Sequence, residues 1–329
     1  TQIEDLVRGR IEFENALVDD FIILKADGFP TYHLASVVDD KHMKITHVLR
    51  GEEWVSSVPR HIQIYRALGW QPPIFAHLPT ILAPDKSKLS KRHGATSVLE
   101  YRKMGYLPDA MMNFLSLLGW SLDDRTEHFS RDDMVKRFTL DRVNQSPASF
   151  DPQKMMAFEE RWMQALSLDE KVAFAAPFLI QLGLLSPAPL PEENERLRAV
   201  VVAAGDRLKV AADIVNYAEF FTNDTDFPYD PKAFSKRLQS EGSAERLLAF
   251  REVLESLSQF DAETIEAGMH DFVAANDIKI SAIIHTVRIA VTGKAVGFGL
   301  FEGMAVLGRN ACLVRIDRAL ALVTNKDTP

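Results

Sequence analysis

Cysteine is nearly absent: Cys312 is the single one in 329 residues. No internal disulfide can form, and no cysteine-built zinc site is available. That usage fits a reducing compartment, so a cytoplasmic protein is expected. The thiol lies in "NACLVRIDRAL", whose apolar residues recur at helical spacing, and a buried structural cysteine is expected there. Long apolar runs are also missing. None reaches the roughly 18 to 20 residues that a membrane helix needs, and no membrane partner is expected. The opening "TQIEDLVRGRIEFEN" is charged throughout, unlike a secretory signal, and lacks an initiating Met. A truncated or processed start is expected from it.

Several chemical signatures are missing too. The nine histidines show no ligand spacing such as His-Glu-x-x-His, so no protein-bound metal is expected. There is no Gly-x-x-x-x-Gly-Lys-Ser/Thr loop to cradle phosphates and no Gly-x-Ser-x-Gly elbow. "VGFGLFEG" spaces its glycines as Gly-x-Gly-x-x-x-Gly, which reads as a turn between helices rather than a dinucleotide loop. No internal repeat or low-complexity tract is found.

What is present is ordinary globular material, 47% hydrophobic and 26% charged, in a chain long enough for two or three domains. The first ninety residues read as mixed α/β. "DFIILKADGFPTYHLASVV" suggests an apolar β-rich run, a turn at Asp27-Gly28 and a second extended run. "KITHVLRG" and "PIFAHLPTIL" are buried-strand candidates. "SSVPRHIQIYRALGW" predicts a helix with Ser56 or Ser57 as cap, Pro59 in its first turn, Gly69 at its end and a stripe of Val58, Ile62, Tyr65 and Leu68. "LPDAMMNFLSLLGW" predicts another, from Pro108 to Gly119, with Ala110, Met111, Phe114, Leu115 and Leu118 facing a core. From about residue 165 amphipathic stretches dominate, among them "DRLKVAADIVNYAEFF". "SPAPLPEEN" reads as an exposed connection between helices.

The net charge is −8, yet "LAPDKSKLSKRHGA" gathers Lys86, Lys88, Lys91 and Arg92 in one turn-rich loop. Self-repulsion disfavours such a cluster unless something anionic offsets it. Upstream, "RGEEW" puts Arg50, Glu53 and Trp54 just past a strand, where ligands bind in open α/β sheets. An arginine there suits a carboxylate and a tryptophan can wall a pocket. A strand-ending salt bridge with a packed indole explains "RGEEW" equally well. In "YHLAS", Tyr32 and Ser36 share a side if the segment is helical. A half-buried tyrosine with a satisfied hydroxyl is the simpler reading of that stretch alone.

Taken in order, "FPTYHLASVVDD", "ITHVLRGEEWVSSVPRHIQIYRALGW" and "HLPTILAPDKSKLSKR" strongly resemble the second half of bacterial-type glutamyl-tRNA synthetases, class I enzymes. "KLSKR" looks like the Lys-Met-Ser-Lys-Ser loop in the form glutamate enzymes carry. "FLSLLGWS", "SPASFDPQKM", "VRIAVTGKAVG" and "CLVRIDRAL" extend the similarity over nearly the whole chain. The resemblance implies a multidomain chain: an α/β remnant of a Rossmann-type catalytic domain, then all-α stem-contact and anticodon-binding helical-bundle domains. The implied divisions are 1–34 (end of an acceptor-binding insertion), 35–95 (second half of the catalytic domain), 96–165 (stem contact) and 166–329 (anticodon binding).

It further implies ligation of L-glutamate to tRNA(Glu) through a glutamyl-adenylate, with ATP as substrate, Mg²⁺ accompanying ATP, and a monomeric enzyme. Lys91, with Lys88, matches the catalytic loop; Lys88, Ser90, Lys91, Arg92, Glu53 and Ile81 match ATP-binding positions. Tyr32, Ser36, Arg50 and Trp54 match positions that hold glutamate. Ser36 stands where many members have asparagine; serine is shorter and offers one donor rather than an amide, a difference that a bridging water would make up. "MMAFEERWM" departs from a Trp-x-Asn-x-x-Tyr pattern. Arg309, Arg315 and Arg318 are candidates for RNA contact. No His-x-Gly-His motif is present, so the chain is expected to be the C-terminal part of a longer synthetase, inactive alone. A non-catalytic tRNA-binding module is the alternative. A glutamine enzyme fits less well, since no period-two runs suggest a β-barrel back end.

Overall fold

The computed structural model describes residues 1–94, 97–123 and 125–324. The chain forms two compact units, 1–100 with 108–158, and 101–107 with 159 onward. The expected division at 95–96 lies outside the described residues.

The first unit is built on a four-stranded sheet. β1 (Gln2–Asp5) and β2 (Gly9–Glu12) form an antiparallel hairpin; β3 (His47–Gly51) and β4 (Ile74–Leu78) complete the order β2-β1-β4-β3. β1, β4 and β3 are mutually parallel, so their carboxyl ends share one edge of the sheet. Between β3 and β4 runs α2 (Val58–Ala67), with Pro59 in its first turn, as "SSVPRHIQIYRALGW" predicts. Val58 and Ile62, one turn apart, bury against Ile3 and Phe75 of the sheet. Ile64 and Tyr65 bury on another side against Val37 of α1 (Tyr32–His42). α2 therefore ties the sheet to α1.

The remainder of this unit holds the parallel pair β5 (Ile81–Leu82) and β6 (Ala148–Ser149), and the helices α4 (Pro108–Ser116) and α5 (Arg131–Arg137). The chain passes between units within α3 (Val98–Lys103) and α6 (Pro152–Ala165). Phe114 of α4 meets Phe150 and Phe158 edge-on, at ring separations of 5.3 and 5.8 Å. Ser130 and Asp133 form a capping box on α5, satisfying two orphan N–H groups.

The second unit is helical: α7 (Leu168–Gln181), α8 (Pro191–Ala204), α9 (Pro231–Leu238), α10 (Ser243–Ser256), α11 (Ala262–Ala275), α12 (Ile284–Thr292), α13 (Leu300–Leu307) and α14 (Arg309–Thr324). One continuous apolar core runs through them and includes the buried Cys312. Gly297 and Gly299 lie in the turn between α12 and α13, as their spacing suggests. Gly105 is required by contact. Its φ is +86°, and a Cβ there would lie 2.3 Å from the Ala212 backbone nitrogen.

Several expectations fail. The second extended run predicted after Gly28 is α1; only an isolated Leu24–Pro30 bridge precedes it. "DRLKVAADIVNYAEFF" is not an α-helix but 3-10 turns, with Ala211–Phe220 broken at Tyr217. That break brings Tyr217 and Phe220 both onto Phe298, at 5.2 and 4.9 Å. Leu68 and Leu115, assigned to core stripes, are exposed; His61 and Asn113 are buried on the same helices. Asn113 is accommodated because its amide donates to the Glu127 carbonyl.

Within the second unit, Glu159 of α6 is fully buried and both carboxylate oxygens accept the Leu107 N–H, at 3.1 and 3.0 Å. Burial pushes its carboxyl up to about 7, against the lowering effect of the Leu107 bond. A raised acid binds its proton more tightly when folded, so its stabilising effect is full below its unfolded value of 4.5. That effect is lost as pH rises through about 7. Glu159→Gln should therefore gain stability relative to the native chain between pH 5 and 8, by an amount on the order of 3 kcal/mol. Urea unfolding at pH 5, 6.5 and 8 measures this; a difference that does not change with pH refutes it.

Candidate active site and nucleic-acid-binding unit

The carboxyl ends of β1, β3 and β4 gather the polar groups of the first unit. Arg50 pairs in register with His77, and Asp5 with Phe75 two residues earlier. With side chains alternating, Asp5, Arg50, Phe75 and His77 share one face. Asp5 and His77 are wholly buried there, Oδ2 to Nδ1 at 2.6 Å. Asp5 Oδ1 also accepts the backbone N–H groups of Val7, Arg8 and His77, at 3.0, 2.9 and 3.1 Å. Burial alone would raise this carboxyl, but the His77 and backbone bonds outweigh it and hold it below the usual range. Arg50 Nε donates to His77 Nε2 at 3.1 Å, and its Nη2 to the Trp54 carbonyl at 3.3 Å. Burial pushes the Arg50 guanidinium down from its ordinary value, opposed by Tyr32, Asp40 and Asp5.

An aromatic wall stands beside it. Tyr32 opens α1 because Thr31 is extended and its hydroxyl donates to the Ile22 carbonyl, at 3.0 Å. The Tyr32 ring lies 5.0 Å from Trp54 and 5.9 Å from His61, and Tyr32 is half exposed. His61 is buried on α2 and hydrogen-bonded to His33, Nε2 to Nδ1 at 2.9 Å. Burial, then Arg50 and His33, lower His61 to about 4, so its ring is neutral near pH 7. A cation with donors to spare, flanked by aromatic faces and neutral imidazoles, is suited to a small anion.

The lysine loop begins at the end of β5. Leu89 N donates to the Ile81 carbonyl and Ala83 N to the Ser87 carbonyl, at 3.0 and 2.8 Å, which folds residues 81–89 back as a hairpin. Asp85 accepts from the Ser87 N–H and hydroxyl at 2.9 and 2.7 Å, supporting Lys86 in a left-handed conformation. Ser90 and His93 cap each other, and Arg92 Nε donates to the Ser90 hydroxyl at 3.2 Å. Lys88 pairs with Glu53 at 3.2 Å. Among the described residues no ion pair or side-chain hydrogen bond holds Lys86 or Lys91, so their charges are available to an anion.

Of the residues singled out by sequence, Tyr32, Arg50 and Trp54 thus form one cluster, and Glu53 with Lys88 one pair. Ser90, Lys91 and Arg92 occupy one turn. Ser36 lies on α1 one turn after Tyr32, partly buried, and Ile81 enters through its carbonyl alone. A cleft of about 590 Å³ lined by Ile62, Arg66, Trp70 and Pro72 contains none of them. Sequence reading missed Asp5, His33, His61 and His77. The available signal was His77 inside the otherwise apolar "IFAHL", which is rare unless the ring has a partner, and His61 one position before Ile62 on the helix's apolar stripe.

The arginines of the helical unit separate by burial. Arg315, proposed for RNA contact, is 1% exposed. Its Nε donates to Asp224, Nη1 to the Val291 carbonyl and Nη2 to the Glu219 carbonyl, at 2.7, 2.8 and 2.8 Å, while its plane lies 4.5 Å from the Phe227 ring. Those bonds use it structurally and remove it from the RNA candidates. Arg318 donates to the Phe227 carbonyl and stacks on Phe227 and Tyr229; Arg309 donates to the Leu257 carbonyl over Phe260. Both are half-buried.

A parallel-stranded α/β unit with its polar cluster at the strand ends and a cationic hairpin, joined to an all-helical unit, is the arrangement of a class I synthetase. Residues 1–157 match the family of class I tRNA synthetases for E and Q, catalytic domain, and residues 170–320 match the anticodon binding domain. The chain belongs to this family. It is 42% identical to a glutamate–tRNA ligase of Moorella thermoacetica over 97% of its own length and 65% of that protein. It is 44% identical to one of Dehalococcoides mccartyi over 98% and 66%. A crystal structure of a glutamate tRNA ligase from Elizabethkingia meningosepticum, in complex with its amino acid, superposes with a TM-score of 0.78 at 31% identity. It covers 98% of this chain and 66% of that one. The chain thus spans about 65% of the length of the relatives it matches.

Replacing Arg315 by alanine should destabilise the helical unit by about 3–5 kcal/mol, because Asp224 and two buried carbonyls lose their donor together. Arg315→Lys should recover little, having no planar fork. Chemical unfolding monitored by circular dichroism measures both; a loss below about 1 kcal/mol would show that the network is dispensable.

Proposed function

We propose that this chain carries the glutamate-holding, loop and tRNA-contacting parts of a glutamate–tRNA ligase. The observation that carries the reading is Arg50: a guanidinium at the strand ends, beside Tyr32 and Trp54, engaged by His77, the Trp54 carbonyl and the Tyr32 hydroxyl rather than by a carboxylate. Arginine has five N–H donors, so further ones face a carboxylate bidentately. Tyr32 and Trp54 wall the site. Ser36 contributes a hydroxyl one helical turn away, through a bridging water. Glutamate is preferred over glutamine because an amide cannot satisfy the guanidinium's charge.

ATP is the second substrate. The loop's donor set suits a polyphosphate: Lys86 and Lys91 have no counterion among the described residues, while Lys88, Ser90 and Arg92 stand on the same hairpin. Glutamate's carboxylate oxygen attacks the α-phosphorus, the bond to pyrophosphate breaks, and glutamyl-adenylate forms. Charge develops on the leaving phosphates, where Lys91 and Lys88 stabilise it. A lysine on an exposed turn, with a long flexible stem, can follow that charge as it moves. Glu53 holds Lys88 until nucleotide competes for it, and the Ile81 segment borders the base. Among the described residues no group of three or more His, Cys, Asp or Glu side chains could hold a metal ion, and Mg²⁺ would arrive on the phosphates of ATP. For tRNA(Glu), stem contact is assigned to 96–165, most of it in the first unit, and the anticodon to 166–329 in the helical unit. We place the protein in the cytoplasm, in keeping with its lone buried thiol, and as a monomer.

Two measurements test the reading. In calorimetric titration of the chain with L-glutamate, Arg50→Ala should weaken binding by about 10- to 100-fold, the worth of a charge-assisted hydrogen bond. Undiminished affinity would remove Arg50 from the site. In glutamate-dependent ATP–pyrophosphate exchange by an enzyme of the relatives' full length, Lys91→Ala should cut kcat by about 100-fold or more while KM for glutamate stays within about three-fold. An unchanged kcat would exclude the lysine.

A further inference from the structure

We infer that Asp5 and His77 are positioning residues that keep Arg50 available as a carboxylate acceptor, by placing a neutral imidazole between a buried carboxylate and the guanidinium. The inference rests on the reading of Arg50 as the glutamate-holding residue and adds two residues to it.

The geometry fixes the proton. Arg50 Nε carries a hydrogen and points at His77 Nε2, 3.1 Å away, so Nε2 must offer its lone pair. The ring proton therefore sits on Nδ1, where Asp5 Oδ2 accepts it at 2.6 Å. A doubly protonated ring would direct two hydrogens at each other along the Nε–Nε2 line. The short Asp5–His77 contact is accordingly a charge-assisted hydrogen bond to a neutral ring rather than an ion pair. Asp5 is saturated by this bond and three backbone N–H groups, all buried. That leaves it no reason to reach the guanidinium directly.

The consequence concerns what Arg50 can still do. An arginine paired bidentately with an aspartate has its charge neutralised and its Nη edge occupied, and a substrate carboxylate would have to displace the partner. With the imidazole interposed, Nε is spent on a neutral acceptor and Nη2 on the Trp54 carbonyl, and those bonds fix the rotation of the guanidinium about its stem. The register of Arg50 opposite His77 on adjacent parallel strands makes the distance a property of the sheet rather than of a loop. Neighbouring His61 and His33 are held below their ordinary value by burial and add no positive charge near neutrality. The cation is thus oriented with no carboxylate hydrogen-bonded to it among the described residues, Asp40 acting on it only through space.

The test combines a spectroscopic readout with rescue, both on the full chain. Nitrogen-15 correlation spectra of the imidazole in the native protein should show His77 as the Nδ1–H tautomer, and Asp5→Asn should convert it to Nε2–H. His77→Leu should weaken L-glutamate binding by about 10- to 100-fold, the worth of one hydrogen bond to a charged group. His77→Gln, whose amide oxygen can accept from Nε, should return it to within about five-fold of native. Thermal unfolding of each variant identifies any that are merely misfolded, and the native tautomer decides the relay even if every variant unfolds. An Nε2–H or doubly protonated His77 in the native chain overturns the inference. So does a folded His77→Leu that binds as well as His77→Gln. A native chain with the expected tautomer that fails to bind glutamate overturns instead the glutamate reading on which the substrate part stands.

Discussion

The first unit depends on the register of β4 between β1 and β3. β4 has a parallel neighbour on each side, and its ladder to β1 is short, a single Asp5–Phe75 pairing. The side chain of Asp5 supplies what the ladder lacks, accepting both the backbone and the ring of His77 across the gap. On the other side, five consecutive pairs with β3 set Arg50 opposite His77. A slip of one residue would send Arg50 to the opposite face, away from α2 and the aromatic wall. The polar cluster is thus a product of strand pairing, and the apolar residues of α2 that bury on the sheet secure it.

The loop shows how an acidic chain keeps a cationic site. Its shape comes from bonds that leave the ammonium groups alone: backbone pairs of the hairpin, the Asp85 turn and the mutual capping of Ser90 and His93. Asp85 and Glu53 bring two nearby carboxylates, but Asp85 is engaged chiefly by Ser87, and Glu53 by its own backbone and Lys88. Repulsion among the remaining cations is tolerated because the loop is exposed, where water screens each charge. It is relieved when an anion arrives. Glu53 links the loop to the Trp54 segment through its ion pair with Lys88.

Much of this was legible in the sequence. Strands β3 and β4, helices α2 and α4, the helical back and the buried Cys312 follow from period and punctuation, because each alternates or repeats against one core. Tyr32, Arg50 and Trp54 were legible only through their order in the family pattern; their juxtaposition needs α1, β3 and the turn after β3 to be folded together. What was not legible depends on tertiary pairing. The kink at Tyr217 exists to satisfy Phe298, more than eighty positions later, and no local signal encodes it. His77 reads as one odd residue in a strand until Asp5, far away in the chain, gives it a partner. Arg315 illustrates the reverse error, a basic residue on a helix whose burial its own helix does not announce.

Arg50 and Arg315 carry the same charge and opposite uses, and the difference lies in the acceptors around them. Arg315 has a donor on every nitrogen engaged, an aspartate among the acceptors and an aromatic face against its plane. Nothing remains to bind with, so its charge is a structural fixture and its removal is felt by the core. Arg50 meets an imidazole nitrogen, a carbonyl and the Tyr32 hydroxyl, none of them a carboxylate. Its charge is neither exposed enough to be screened by water nor paired enough to be cancelled within the fold. A guanidinium in that state is destabilised until an anion joins it, which is the condition for binding rather than packing. The carboxylate that would cancel it is present, but the sheet holds it one imidazole away.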